Sequence, residues 1–288
     1  MKSYFFHTAA QARPVLRRLG RHAGTLLAGL AMLWSCTLWA AEQCTVHSGA
    51  QRQALVELYT SEGCSSCPPA DQWLGEIGKT GSADRQAHFI PLALHVDYWD
   101  SLGWHDRFAQ HRFTERQQSL SERAGSHIVY TPEVAVGGFE LSDWNSAAAF
   151  KSSVAKINAQ PSGADIQLSL APDSAGATTA DLDAHFALPA GAGAQAAQGA
   201  QAYVVVFENN LTSQVKAGEN TGATLHHQFV ARQWLGPVPI TDGRARIMQK
   251  IALAPDANVH GAGPTGVVAF VQNSQGDILQ ALALPECH

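Results

Sequence analysis

Two cysteines stand two residues apart in the run Glu62-Gly63-Cys64-Ser65-Ser66-Cys67-Pro68-Pro69. That spacing lets two thiols close a small reversible disulfide, and a helix starting beside them favours thiolate over thiol. Thiol–disulfide exchange needs an attacking thiolate, a resolving thiol and a surface that docks the partner chain. Cys64, the first and usually more exposed member of such a turn, is the expected nucleophile, and Cys67 the resolving thiol. Thr131-Pro132 supplies the docking surface if its bond is cis, an isomer that costs little before proline. Asp97 and Asp100 are expected beside the turn, where a carboxylate can move protons to or from a buried thiol. The alternative for both is to hydrogen-bond backbone and cap their loop. Two features work against a reactive pair. Pro68 and Pro69 delay the helix start to Pro69 and leave the cysteines in the loop before it. Glu62 adds a negative charge that disfavours a thiolate.

Other residues have simpler readings. A zinc site built on a CxxC pair needs a second pair of ligands, and the chain has no second CxxC. No metal and no cofactor are therefore expected. His226 and His227 are adjacent on a strand, so they point to opposite faces and cannot readily chelate one ion; they read as surface histidines. Trp99 and Trp104 read as packing residues. Asn210-Leu211-Thr212 is a glycosylation sequon by pattern only.

The elements that must position the pair can be read around it. Ala54 to Tyr59 reads as a buried strand leading into the turn. Trp73, Leu74 and Ile77 fall at helical spacing after it. A polar loop, Lys79 to Gln86, precedes a second buried strand, His88 to Val96, parallel to the first. Loops at the C-terminal ends of such strands converge on one edge, which places Asp97 near the cysteines. Phe113 to Ala124 reads as a helix with Glu115, Arg116 and Arg123 outward. Val134 to Val136 reads as a short strand, Gly137-Gly138 as a hairpin turn, and Asp143 as the cap of a helix through Ile157. Pro161-Ser162-Gly163 marks a boundary. Beyond it come short alternating strands at 166–170, 182–186, 203–207, 247–251, 267–271 and 278–284, with another at Phe229 to Leu235. Ala190 to Ala202 is an Ala/Gly/Gln-rich insert that reads as a hairpin loop. The expected fold class is an α/β thioredoxin-like domain over residues 54–158, followed by an all-β sandwich-like domain over residues 162–288.

Composition sets the setting. Of the 288 residues 45% are hydrophobic and 15% charged, which marks a globular chain, and the net charge of −5 argues against a nucleic-acid partner. Residues 1–41 read as a signal peptide: Arg13, Arg17, Arg18 and Arg21 precede an apolar stretch from Thr25 to Ala40. The apolar run is short for a membrane span, so membrane contact is expected only through an uncleaved signal. The expected location is periplasmic or secreted, where disulfides persist. Cys36 leaves with the signal, and Cys44 and Cys287 are expected to pair and join the two ends of the mature chain.

Residues Leu55 to Asp71 resemble the signature of a secreted bacterial family filed as domain of unknown function 1223. So do His95-Val96-Asp97-Tyr98-Trp99-Asp100 with Gly103-Trp104, Tyr130-Thr131-Pro132, and Gly218-Glu219-Asn220 with Gly222. The resemblance spans nearly the whole mature chain and implies a thioredoxin-like fold with an added C-terminal region. It implies no activity. Ala217 stands where a basic residue is expected, which counts against anion binding by that loop. The leading expectation is thiol–disulfide exchange on an exported protein or other thiol substrate. Its rivals are a periplasmic binding module with a static Cys64–Cys67 disulfide, and a copper-handling protein using both cysteines and a distant histidine.

Overall fold

The computed structural model describes residues 43–81, 89–174, 177–189, 198–253 and 265–284. The signal-peptide reading, Cys287 and most of the 190–202 insert lie outside the described residues. The N-terminal part contains β1 (Cys44–His47), β2 (Ala54–Thr60), α1 (Pro68–Gly81) and β3 (Phe89–His95). A 3-10 turn (Asp100–Leu102), α2 (His111–Arg123), β4 (Glu133–Val136), β5 (Phe139–Glu140) and α3 (Ala147–Asn158) follow. The remainder is β6 (Asp165–Pro172), β7 (Thr179–Ala187), β8 (Gln201–Glu208), β9 (Leu211–Gln214) and β10 (Thr224–His227), then β11 (Val230–Pro239), β12 (Arg244–Ala252), β13 (Thr265–Gln272) and β14 (Ile278–Leu284). No helix among the described residues is long and apolar enough to cross a membrane.

The strand–turn–helix–strand start is present. β2 and β3 run parallel, from Ala54 opposite Phe89 to Thr60 opposite His95, and β4 pairs antiparallel with β2. The expected fold class is nevertheless wrong. The chain is mostly β-sheet and does not form a thioredoxin-like α/β domain followed by a sandwich. One mixed sheet of eight strands runs β14-β13-β8-β11-β3-β2-β4-β5, so strands from both sides of Pro161 share it. The junction is the parallel contact of β11 with β3, where Val230 faces Ala93 and the Ala93 N–H donates to the Phe229 carbonyl at 2.8 Å.

The physical reason lies in strands that are apolar on both faces. In β8, Ala202, Val204 and Val206 pack towards β6, β7 and β12, which form an antiparallel sheet with β1. Tyr203, Val205 and Phe207 point the other way and share a cluster with Phe113 and Leu120 of α2. Alternate side chains of one strand thus need cover on both sides. A sandwich strand with one solvated face does not meet that need. On the N-terminal half, α1 and α3 pack on β2, β3 and β4 through Leu74, Phe150 and Val154.

Local differences follow from packing. α1 starts at Pro68, one residue before the expected start, because Pro at the first helical position leaves no missing hydrogen bond. Ser146, not Asp143, caps α3, accepting from Ala149 N–H. Arg116, expected outward, is turned inward and forms a 2.6 Å ion pair with buried Glu57.

Candidate functional site

The residues between β2 and α1 form a tight turn closed by a Cys64–Cys67 disulfide, with Cα atoms 5.4 Å apart. Cys64 N–H donates to the Ser61 carbonyl and Cys67 N–H to the Cys64 carbonyl. The Cys67 carbonyl accepts the Ala70 and Asp71 N–H groups, so Cys67 sits at the positive end of α1. Both cysteines are fully buried, while Ser65 and Ser66 are exposed. Cys64 was expected to be the exposed member; the fold covers it.

Three segments provide that cover. The Thr131–Pro132 bond is cis, and the Thr131 carbonyl lies 3.7 Å from Cys64 Sγ and accepts Ser66 Oγ at 3.3 Å. Trp99 Nε1 donates to Thr131 Oγ1 at 2.8 Å and fixes that residue. From the C-terminal part, Asn220 Nδ2 donates to the Glu62 and Cys64 carbonyls, each at 2.9 Å, and Glu219 accepts the Ser65 N–H at 3.0 Å. The Gly218-Glu219-Asn220 motif is therefore a clamp on the cysteine turn. Gly218 has φ +74°, and Trp104 Cβ lies 3.2 Å from where its Cβ would be.

Asp97 is not directed at the cysteines. Its oxygens are taken by Thr114 Oγ1 at 2.5 Å and His111 Nδ1 at 2.9 Å, both on α2. Burial opposes its charge, but these two partners outweigh it and hold the carboxyl below its ordinary value. Asp100 accepts from the Asp106 N–H and pairs with His105. Asp100 thus bonds the backbone of its own loop, whereas Asp97 ties that loop to the side chains of α2.

Next to the turn is a buried polar cluster that sequence reasoning missed. It draws Thr60 from the end of β2, His95 from the end of β3, Asp71 from the first turn of α1, and His227 from the end of β10. Glu62 and Asp106 complete it from loops. All six are buried. His95 Nδ1 lies 2.7 Å from Asp106 Oδ2. Asp106 Oδ2 also accepts the Glu62 N–H at 2.9 Å, and Asp106 Oδ1 accepts the Phe108 N–H at 2.9 Å. Thr60 Oγ1 donates to Asp71 Oδ2 at 3.2 Å. Trp104 Nε1 donates to Glu62 Oε2 at 2.7 Å, so this tryptophan is more than packing. His227 lies between two carboxylates: Nε2 is 3.3 Å from Glu62 Oε1 and Nδ1 is 4.0 Å from Asp71 Oδ2, neither aligned as a hydrogen bond.

Burial opposes charge throughout this cluster, and its neighbours decide the result. For His95, burial is outweighed by the Asp106 carboxylate, which raises the imidazole to about 8. For Asp106, burial is outweighed by His95 and two backbone donors, which hold it at about 2. Asp71 is pushed up by burial.

The adjacent histidines do point apart, as strand geometry requires. His226 is exposed and His227 buried, which corrects the surface reading of His227. His95, Asp71 and Glu62 all sit inside the runs that carry the family resemblance, but nothing in their spacing marks them as neighbours. One oxygen or nitrogen each from Asp71, His95 and His227 lie within 4.8 Å of one another, a grouping that could hold a metal ion. No cysteine belongs to it, since both sulfurs of the turn are in the disulfide.

No curated protein matches the chain. Two solved structures resemble it. The protein AGR_C_4864 from Agrobacterium tumefaciens has 23% identity and a TM-score of 0.53, over 82% of this chain and 96% of that one. HBP35 of Porphyromonas gingivalis has 16% identity and a TM-score of 0.58, over 83% of this chain and 76% of that one. At these identities the likeness concerns the fold alone. The model of one family, described as protein of unknown function (DUF1223), matches residues 55–272, and the chain belongs to that family.

Proposed function

We propose that this is an exported thiol–disulfide exchange protein that acts through Cys64 and Cys67 on a thiol-bearing partner chain. The observation that carries this reading is the placement of the disulfide in a four-residue turn at the N-terminus of α1, against the Thr131 carbonyl. A thiolate released there is stabilised by the helix end. In the forward step a partner thiolate attacks Cys64 Sγ. The S–S bond breaks, Cys67 leaves as a thiolate, and a mixed disulfide joins the partner to Cys64. A second partner thiolate then attacks the partner's own sulfur in that bond. The partner dithiol is oxidised to a disulfide, and the pair is reduced to two thiols. A backbone N–H of the bound partner that docks on the Thr131 carbonyl takes the place of the Ser66 hydroxyl, which donates to it in the free protein.

A second reading is favoured by the complete burial of both cysteines and by the Asn220 clamp. In it the disulfide is a static staple and the protein a binding module. A redox titration of the pair, read by thiol alkylation, separates the two. Exchange predicts a potential above about −300 mV; a structural staple lies below it. Cys67→Ser, which lacks the resolving thiol, is expected to accumulate mixed disulfides with exported proteins, and Cys64→Ser to accumulate none. A potential below that limit together with no adducts overturns the exchange reading.

A further inference from the structure

The cluster next to the cysteine turn has a charge problem that its own residues do not solve. Three carboxylates, Glu62, Asp71 and Asp106, are buried with two imidazoles. Among the described residues none of the three pairs with a lysine or arginine. Burying charge without a partner is costly. Side-chain atoms here also lack partners: His95 Nε2, both ring nitrogens of His227, and Glu62 Oε1. Both histidines are at least 99% buried. Buried polar groups are normally satisfied, so several unpartnered atoms in one place point to a missing ligand.

We propose that Asp71, His95 and His227 bind a divalent first-row transition ion of the zinc type, independently of the redox reading. The donor atoms follow from the geometry. His95 Nδ1 is engaged by Asp106, which leaves Nε2 free. His227 Nε2 faces Glu62, which leaves Nδ1 towards Asp71. Asp71 is oriented by Thr60. Two of the ligands have an outer partner, Asp106 for His95 and Thr60 for Asp71, and Glu62 Oε1, 3.3 Å from His227 Nε2, stands near enough to become the third. A metal-bound imidazole typically gives its other nitrogen to a carboxylate in this way. Two imidazoles and one carboxylate suit zinc, iron and their neighbours rather than calcium or magnesium. The ligand atoms, now within 4.8 Å of one another, must draw in by about an ångström to reach metal–ligand bonds of about 2.0–2.2 Å.

A groove of about 360 Å³ between α1 and β10 is lined by Asp71 and His227 together with Glu76, Lys79, His226 and Gln228, so two of the three ligands border it. The position of the site explains why sequence reading passed over it. Its ligands come from three elements, and no two are close enough in sequence to form a spacing motif.

The test uses the disulfide-intact mature chain, freed of metal by a chelator and titrated with zinc chloride. The expected result is one zinc per chain retained after dialysis. His227→Gln, His95→Gln and Asp71→Asn should each weaken binding at least tenfold, while His226→Ala should leave it unchanged. Cobalt(II) titration of the unaltered protein gives a readout that does not depend on the variants folding. The proposal expects intense four- or five-coordinate visible bands without thiolate charge transfer. A folded protein that retains no zinc overturns the proposal. So does binding lost with His226→Ala but kept in His227→Gln, or a cobalt spectrum that is octahedral or thiolate-bearing.

Discussion

Single side chains decide how accessible and how stable the cysteine turn is. Asn220 joins the C-terminal part to the turn through two carbonyls, those of Glu62 and Cys64. A hydrogen bond contributes about 0.5–1.5 kcal/mol net. Asn220→Ala is therefore expected to cost about 1–3 kcal/mol in urea denaturation and to speed reduction of the disulfide by a small thiol. Glu219→Gln, on the exposed side of the same loop, should leave stability nearly unchanged. An unchanged reduction rate in Asn220→Ala would show that the clamp does not gate the sulfurs. Glu133, next to Pro132, makes a separate prediction. Burial raises its carboxyl to about 7, helped by Glu140 and Glu57 and opposed by the Gln117 amide. In the unfolded chain it loses its proton near 4.5. Between those values the folded state holds a proton that the unfolded state has released, so stability falls as pH rises from about 4.5 to about 7. Glu133→Gln removes this contribution. Its Tm relative to the unaltered protein should rise across that window and then stay level, which a pH series of thermal melts checks.

Elements meet here through close backbone approaches as well as side-chain packing. The β4–β5 hairpin turns at Gly137-Gly138 and abuts the β13–β14 connection, where Ile278 N–H donates to the Gly137 carbonyl. Gly138 has φ +95°, and a Cβ there would lie 1.9 Å from the Gly276 carbonyl oxygen. Gly138→Ala thus combines left-handed strain, about 1–2 kcal/mol, with overpacking of about 1–3 kcal/mol. Gly125 has φ +73° with nothing near, so Gly125→Ala should show the strain alone. Equal losses of stability in the two would mean that the hairpin contact is slack. The hairpin itself was legible, because Gly-Gly between apolar runs is a local signal. So were the parallel β2–β3 pair and the strand–turn–helix around Cys64, which rest on periodicity. The partners of β8, β11 and β13 were not legible. Their alternating pattern fits a sandwich strand with one wet face, whereas tertiary packing buries both. The polar cluster was hidden for a related reason. Strand alternation says that His226 and His227 diverge, but which of them enters the core depends on how β9 and β10 lie over α1.

At the scale of the whole described chain, the eight-stranded sheet makes the two sides of Pro161 depend on each other. β3 has β2 on one side, and on the other only β11 satisfies the Ala93 N–H. Arg116 on α2 joins Glu57 of β2 to Gln272 of β13. Gln280 on β14 holds the segment before β2 by accepting the Gln53 N–H and donating to the Gly49 and Gln51 carbonyls and to Ser162 Oγ. The turn loses Asn220, and the polar cluster His227, if the chain is cut at the boundary. A fragment of residues 43–162 would also expose the faces of Leu55, Leu92 and Leu94 that now pack in one cluster with Val205, Ala231 and Phe270. Burial of a leucine-sized side chain contributes about 1.5–3 kcal/mol, and net domain stability is only about 5–15 kcal/mol. Losing several such contacts together with an unpaired strand edge exceeds that margin. The fragment is therefore expected to show no cooperative melt and to aggregate through the bare edge of β3. The chain from residue 43 onwards should unfold in one calorimetric transition whose measured enthalpy equals its van't Hoff enthalpy. Two resolved transitions, or a fragment that melts cooperatively as a monomer, would mean that the sheet is two folding units joined at Val230 and Ala93.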